Sequence, residues 1–232
     1  MRRSVSPELL DELPANDPRA IRSRKDLLRL NMIMGHARVI SRSLLQAGAG
    51  KRFDQLVDLG AGDGRFALRV ARHLAPKSGP MRIVLVDRLN LVSEQTRRDF
   101  TAIGWASENV TGDVFKWLLS FEASRPSGIF ANLFLHHFTD VQLQTILRHV
   151  AEHSVCLIAC DPRRSWPVHL ASRLLGFIGC NSVTRHDAVL SVKAGFKGSE
   201  LSPLWPELKQ REILEREVGP FSHLFAVASH PF

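Results

Sequence analysis

Apolar residues change their spacing several times along this chain, and the changes mark out its elements. From about Arg24 to Gln46, Leu30, Ile33, Ala37, Ile40 and Leu44 recur at steps of three or four, with Arg29, His36, Arg38 and Arg42 elsewhere around the helix. That spacing predicts one amphipathic helix, ended by Gly48 and Gly50. Residues 1 to about 20 are polar and proline-punctuated, so the expectation there is partly extended or disordered chain, with Asp17-Pro18 starting a helix. Leu56 and Val57 read as a short buried strand. Glycines follow, and then Phe66, Val70 and Leu74 return at four-residue spacing, which makes a strand–turn–helix unit.

Further strands are predicted near 81–86, 107–111, 128–134 and 154–160, alternating with helical segments near 92–103, 114–120, 139–152 and 167–178. Such alternation implies a parallel sheet. Residues 211 to 218 and 221 to 229 read as two strands joined by Gly219-Pro220, a connection short enough only for an antiparallel pair. The predicted class is therefore α/β: a three-layer, mostly parallel seven-stranded sheet with an antiparallel C-terminal hairpin. Its 232 residues suffice for one such domain over 53–232, preceded by a basic arm and helix over 1–52.

Charge changes the picture only at the front of the chain. Residues 1–52 hold eleven Lys/Arg against five Asp/Glu, which accounts for six of the eight net positive charges. Clustered cations of this kind suit phosphate or nucleic acid, but no aromatics are interleaved for stacking on bases, and a solvated helix face is the other explanation. No apolar run approaches the length of a membrane span, and the start lacks the apolar stretch of a secretory signal, so the expected location is cytoplasmic. Cys156, Cys160 and Cys180 lack close metal-type spacing and read as reduced core residues; no metal site is expected. Nothing in the sequence specifies an oligomeric state.

The chemistry concentrates in Val57-Asp58-Leu59-Gly60-Ala61-Gly62-Asp63-Gly64-Arg65-Phe66. Glycines let the backbone approach a ligand, and the following helix start offers N–H groups to an anionic part of it. The dinucleotide fingerprint needs glycine or alanine where Arg65 stands, and Asp58 and Asp63 would repel a pyrophosphate. A ligand bearing an ammonium and a sulfonium would instead be attracted, as S-adenosylmethionine would be. Asp87, at the end of the 81–86 strand, is placed to accept both ribose hydroxyls, and Asp113, after the next strand, to accept from the adenine amino group.

These acidic strand ends, together with Gly112-Asp113 and Ala131-Asn132-Leu133-Phe134-Leu135-His136-His137-Phe138, make residues 53 to 229 resemble the class I S-adenosylmethionine-dependent methyltransferases. Within that superfamily the Leu-His-His-Phe run is similar to small-molecule enzymes, including those of quinone biosynthesis. The resemblance implies a Rossmann-like methyltransferase fold. It implies that Asp58, Gly60, Ala61, Gly62 and Gly64 cradle the cofactor, with Asp87, Arg88, Asp113, Val114 and Asn132 completing its site. It also implies a lid for the helix of residues 24–46, against which stands simple packing on the sheet.

Methyl transfer from a sulfonium needs an aligned acceptor and, for a phenol or enol, a nearby base. His137, after the fourth strand, and His186, read as the start of a helix ending near Gly195, are the candidates; the plainer roles are a helix cap and burial against the sheet for His136 and His137, and ordinary helix-start chemistry for His186. Arg163 and Arg164 offer a carboxylate clamp or a solvated loop. Trp166, Val168, Leu170, Leu174, Leu175, Phe177 and Ile178 offer a greasy acceptor pocket or a buried helix. An Asn/Asp-Pro-Pro-aromatic motif for amino-group acceptors is missing. The expected function is methyl transfer to an oxygen or enolic carbon of a small hydrophobic, phenol-like metabolite. RNA methylation through the basic arm and a non-catalytic binding protein are the alternatives.

Overall fold

The computed structural model describes residues 1–121, 126–207 and 211–229. A single turn, α1 (Leu9–Glu12), is followed by α2 (Pro18–Met34), which Asp17 caps by accepting from the Arg19 N–H. The one helix expected from Arg24 to Gln46 is two. Gly35, in the left-handed region at φ 70°, ends α2 and starts α3 (His36–Ala47). The apolar spacing runs through the break because each helix presents its own buried stripe, and one glycine carries the turn between them. The first residues also depart from the expected loose chain, since Ser4, Arg3 and the N–H groups of Leu9 and Leu10 are all hydrogen-bonded to distant parts of the fold.

The rest alternates as its spacing predicts: β1 (Gln55–Leu59), α4 (Arg65–Ser78), β2 (Arg82–Asp87), α5 (Glu94–Ala102), β3 (Ala106–Thr111), α6 (Val114–Ser120), β4 (Ser127–Asn132), α7 (Asp140–His153) and β5 (Cys156–Pro162). There follow α8 (Trp166–Arg173), α9 (Ser182–Ala194), β6 (Glu212–Val218) and β7 (Ser222–Ala228). Two boundaries differ from expectation. The apolar run after β5 stops being α-helical at Arg173 and continues as a 3-10 turn over Leu175–Ile178, and α9 starts at Ser182, capped by Asn181, rather than at His186.

The seven strands form one sheet in the order β3-β2-β1-β4-β5-β7-β6, parallel except for β7, which runs antiparallel to both β5 and β6. Alternate residues of a strand feed opposite faces. Leu56, Ile83 and Ile158 join α3 and α4 (Ile40, Leu44, Val70, Leu74) in one core, while Val57, Val84 and Leu157 join α7 (Leu143, Ile146, Val150) in the other. Burying each such aliphatic side chain contributes about 1.5–3 kcal/mol. Since α4 covers one face and α7 the other, the chain switches sides between the neighbouring strands β1 and β4, and that switch opens a crevice at their C-terminal ends.

Candidate cofactor and acceptor site

A cavity of about 760 Å³ occupies this crevice, within the 300–1,000 Å³ typical of small-molecule sites. Its polar end is built from strand ends. Asp58, the fourth residue of β1, is buried, and no donor reaches its carboxylate among the described residues. Burial and the nearby charge of Asp87 push its pKa well above the usual carboxylate range. Asp87 is better satisfied: its Oδ2 accepts from the Gly62 N–H at 2.8 Å and its Oδ1 from Leu89 N–H at 2.9 Å, so it braces the glycine loop. Asp113 caps α6, accepting from the N–H groups of Phe115 (3.0 Å) and Lys116 (3.2 Å).

Between these carboxylates the loop runs close to the wall. Gly60, at φ 77°, lies against the Phe134 ring, into which a Cβ would run. Gly62 faces open space. At the start of α4 one of the N–H groups expected for an anion is already taken, since Asp63 Oδ1 accepts from Arg65 N–H at 3.1 Å. A phosphate is thus disfavoured there twice, by that occupied donor and by Asp58.

The opposite wall comes from the turn after β4. Leu133 holds a positive φ of 52°, reversing the chain so that Phe134, His136, His137 and Phe138 all reach the cavity. Phe134 and Phe138 meet edge to face at 5.0 Å, and Phe138 meets Phe115 likewise at 5.5 Å, which gives the cavity an aromatic side. His136 is buried. Its Nδ1–H donates to Asp161 Oδ1 at 2.7 Å and its Nε2–H to Glu8 Oε1 at 3.4 Å, and the two carboxylates raise its pKa to about 9 despite burial. His137 goes the other way: burial and the adjacent His136 cation lower its pKa, leaving a neutral imidazole 3.5 Å from Asp11. Thr139 and Gln142, not a histidine, cap α7.

The N-terminal residues close the cavity from above. Glu8, which also accepts from Ser191 Oγ, and the α1 start, whose Leu9 and Leu10 N–H groups donate to Asp187 at 2.9 Å, lock the segment to α9. Arg3 reaches the carbonyls of Phe138 and Ala194 and lies over the Phe196 ring. Farther along, Leu27, Leu30 and Ile33 of α2 line the cavity, whereas α3 contributes to the core beneath, so the sheet-packing and covering roles fall to different helices.

Asp58, Gly60, Ala61, Gly62, Asp87, Arg88, Asp113, Val114, Asn132 and His137 all line this cavity. Gly64 sits just behind, packed toward Leu85. Arg88 pairs with Asp11 at 3.1 Å. Asn132 is held from both sides, donating to Asn31 Oδ1 at 2.9 Å and accepting from His36 Nδ1 at 2.6 Å. His186 does not line the cavity; it is half exposed, with Nδ1 3.0 Å from Asp187. Arg163 and Arg164 form no clamp either, since Arg163 pairs with Glu217 and the buried Arg164 with Glu200 and the Gly195 carbonyl. Glu8, Asp11, Asn31 and His36 carry no motif, and only the candidates they touch, His136, His137 and Asn132, hinted at partners.

No protein-family model matches the chain, and no curated protein matches it in sequence. Solved structures are similar to it in fold. An O-methyltransferase family protein from Burkholderia thailandensis matches at 19% identity and TM-score 0.60, over 93% of this chain and 61% of that one. The plantazolicin methyltransferase BpumL, in complex with SAH, matches at 12% identity and TM-score 0.61, over 93% and 92%. The N,N-8-amino-8-demethyl-D-riboflavin dimethyltransferase RosA from Streptomyces davawensis matches at 15% identity and TM-score 0.55, over 97% and 62%. The chain thus spans about six-tenths of the first and third. These likenesses give it the Rossmann-like fold of the S-adenosylmethionine-dependent methyltransferases.

Proposed function

We propose that this protein transfers a methyl group from S-adenosylmethionine to an oxygen, or an enolic carbon, of a small hydrophobic, phenol-like acceptor. The observation that carries the reading is Asp58: a buried carboxylate with no donor among the described residues and a raised pKa, at the floor of a cavity rimmed by Asp87 and Asp113. Such a group favours a cation beside it. Asp58 would hold the cationic amino-acid part, Asp87 the ribose hydroxyls and Asp113 the adenine amino group, with Gly62 leaving room between them. When bound, the cofactor supplies an activated methyl group on sulfur.

The remaining work falls to this chain's own residues. The aromatic wall of Phe134, Phe138 and Phe115 excludes water and orients a flat acceptor. His137, neutral at working pH, takes the acceptor's proton, while His136 stays charged and keeps the wall and the N-terminal segment in place. His186 does not line the cavity and takes neither task.

The test is calorimetric titration with S-adenosylmethionine and, separately, a nicotinamide dinucleotide, then a mass-spectrometric search for labelled methyl on phenolic, quinol and acyl-chain acceptors. Uptake of the sulfonium nucleoside with methylated product supports the reading. Uptake of the dinucleotide alone ends it.

A further inference from the structure

The apolar stretch after β5 divides between two surroundings. Val168, Ala171, Leu175 and Ile178 line the cavity, whereas Trp166 (71% exposed), Leu170 (57%) and Phe177 (89%) stand in solvent. Ile33 of α2, 70% exposed, also lines the cavity. The two elements meet: Arg22 donates to the Gly179 carbonyl at 3.4 Å, and Asn181 N–H to Asp26 at 2.8 Å. The exposed side chains of α2 and of the α8 region therefore border one mouth, continuous with the cavity interior. Isolated surface apolar residues need no explanation, but a group of this kind does.

Charge narrows what covers it. Between Asp161 and Asp187 the chain has four arginines and no acid; Arg163 and Arg164 pair with Glu217 and Glu200, which leaves Arg173 and Arg185 for this rim. α2 adds five Lys/Arg against one acid, Asp26, which is buried and paired with Arg29. Arg185 lies along Gly176, and Arg22 beside Gly179, so the apolar tip is ringed by cations. A second copy seated on this face would set arginines against arginines. RNA would neutralise them and stack on Trp166 and Phe177, but it would leave Ile33, Leu170 and Leu174 in water. An anionic bilayer answers both features, with acyl chains around Trp166, Leu170 and Phe177 and headgroup phosphates on Arg22, Arg173 and Arg185. Among the described residues no helix is long and apolar enough to cross a membrane, so the attachment is to the surface.

We propose that this rim docks the protein on anionic membranes and opens the cavity to an amphipathic acceptor whose apolar tail stays in the lipid. The acceptor half of the proposal rests on the methyl-transfer reading above; the docking half does not.

The test is co-sedimentation of the full chain with vesicles of phosphatidylcholine alone or mixed with phosphatidylglycerol, alongside calorimetry with S-adenosylmethionine. Salt-sensitive binding to the anionic vesicles is expected, with Phe177→Asp and Arg173→Glu each lowering partitioning by about tenfold. Neither side chain lines the cavity, so cofactor affinity should stay unchanged in both. Failure to bind anionic vesicles, binding that both variants leave intact, or a Phe177-dependent dimer that forms without lipid would overturn the docking. Vesicle binding without cofactor uptake would sink the methyl-transfer reading alone, and uptake without vesicle binding would sink the docking alone.

Discussion

His136 Nδ1 lies 2.7 Å from Asp161 Oδ1, and both side chains are buried. The same oxygen accepts from the N–H groups of Phe134 (3.1 Å) and His136 (3.2 Å), so one atom fixes both the ring and the backbone of the cavity wall. Asp161→Asn keeps the shape and removes the charge, leaving a buried imidazolium with a weaker partner. We expect a loss of about 3–5 kcal/mol in denaturant unfolding, the usual result of breaking a buried pair from one side. A loss below about 1 kcal/mol would show that the pair is not ionic.

Glu8 and His136 give the N-terminal closure a pH window. Glu8's pKa is lowered from 4.5 in the folded chain, through its hydrogen bonds to His136 and Ser191, so its contribution is present above that value and lost as pH falls. That of His136 is raised from 6.5 to about 9, so its contribution is complete below 6.5 and lost as pH rises through 9. The melting-temperature gap between wild type and Glu8→Gln should therefore be widest near pH 6 and shrink towards pH 9. An equal gap at both ends would rule out the ion pair as the latch.

For His137 the expected signature is kinetic. His137→Ala should lower turnover by roughly 10²–10⁴-fold with cofactor affinity unchanged. Its lowered pKa places the rise of the wild-type rate with pH below the ordinary histidine range. A rate that climbs only above pH 7 would assign the proton to another group.

Asp58→Asn should separate stability from binding. A buried carboxylate with a raised pKa destabilises the ligand-free fold increasingly as pH rises above its unfolded value of 3.8. The amide should accordingly raise the melting temperature of the free protein at pH 7 and weaken S-adenosylmethionine binding by tenfold or more, a trade of stability against function. Tighter binding by the variant would remove Asp58 from the site.

The sheet was legible in the sequence because β1, β2, β4 and β5 are short, mostly apolar and followed by helices, and the glycine loop and acidic strand ends announce themselves locally; β3, largely polar, was the weakest of the strands to read. The closure was not. Glu8 meets His136 across 128 positions and Asn31 meets Asn132 across 101, and pairs so distant leave no periodic trace in either segment. The split after β5 was hidden for another reason: Leu174 and Phe177 are as apolar as Leu175 and Ile178, and only the change from α to 3-10 winding decides which of them face the cavity.

His36 is the buried, neutral first residue of α3, bonded to Asn132 at the end of β4 and, through Nε2 at 2.5 Å, to Ser222 at the start of β7. One residue earlier comes Gly35, where an added Cβ would touch nothing within 4 Å. Asn31, four residues before that glycine, accepts from the same Asn132, so the chain is tied to the end of β4 on both sides of the turn. A displacement of either roof helix is therefore passed to one amide, that of Asn132, at the end of the strand paired with the one that carries Asp58.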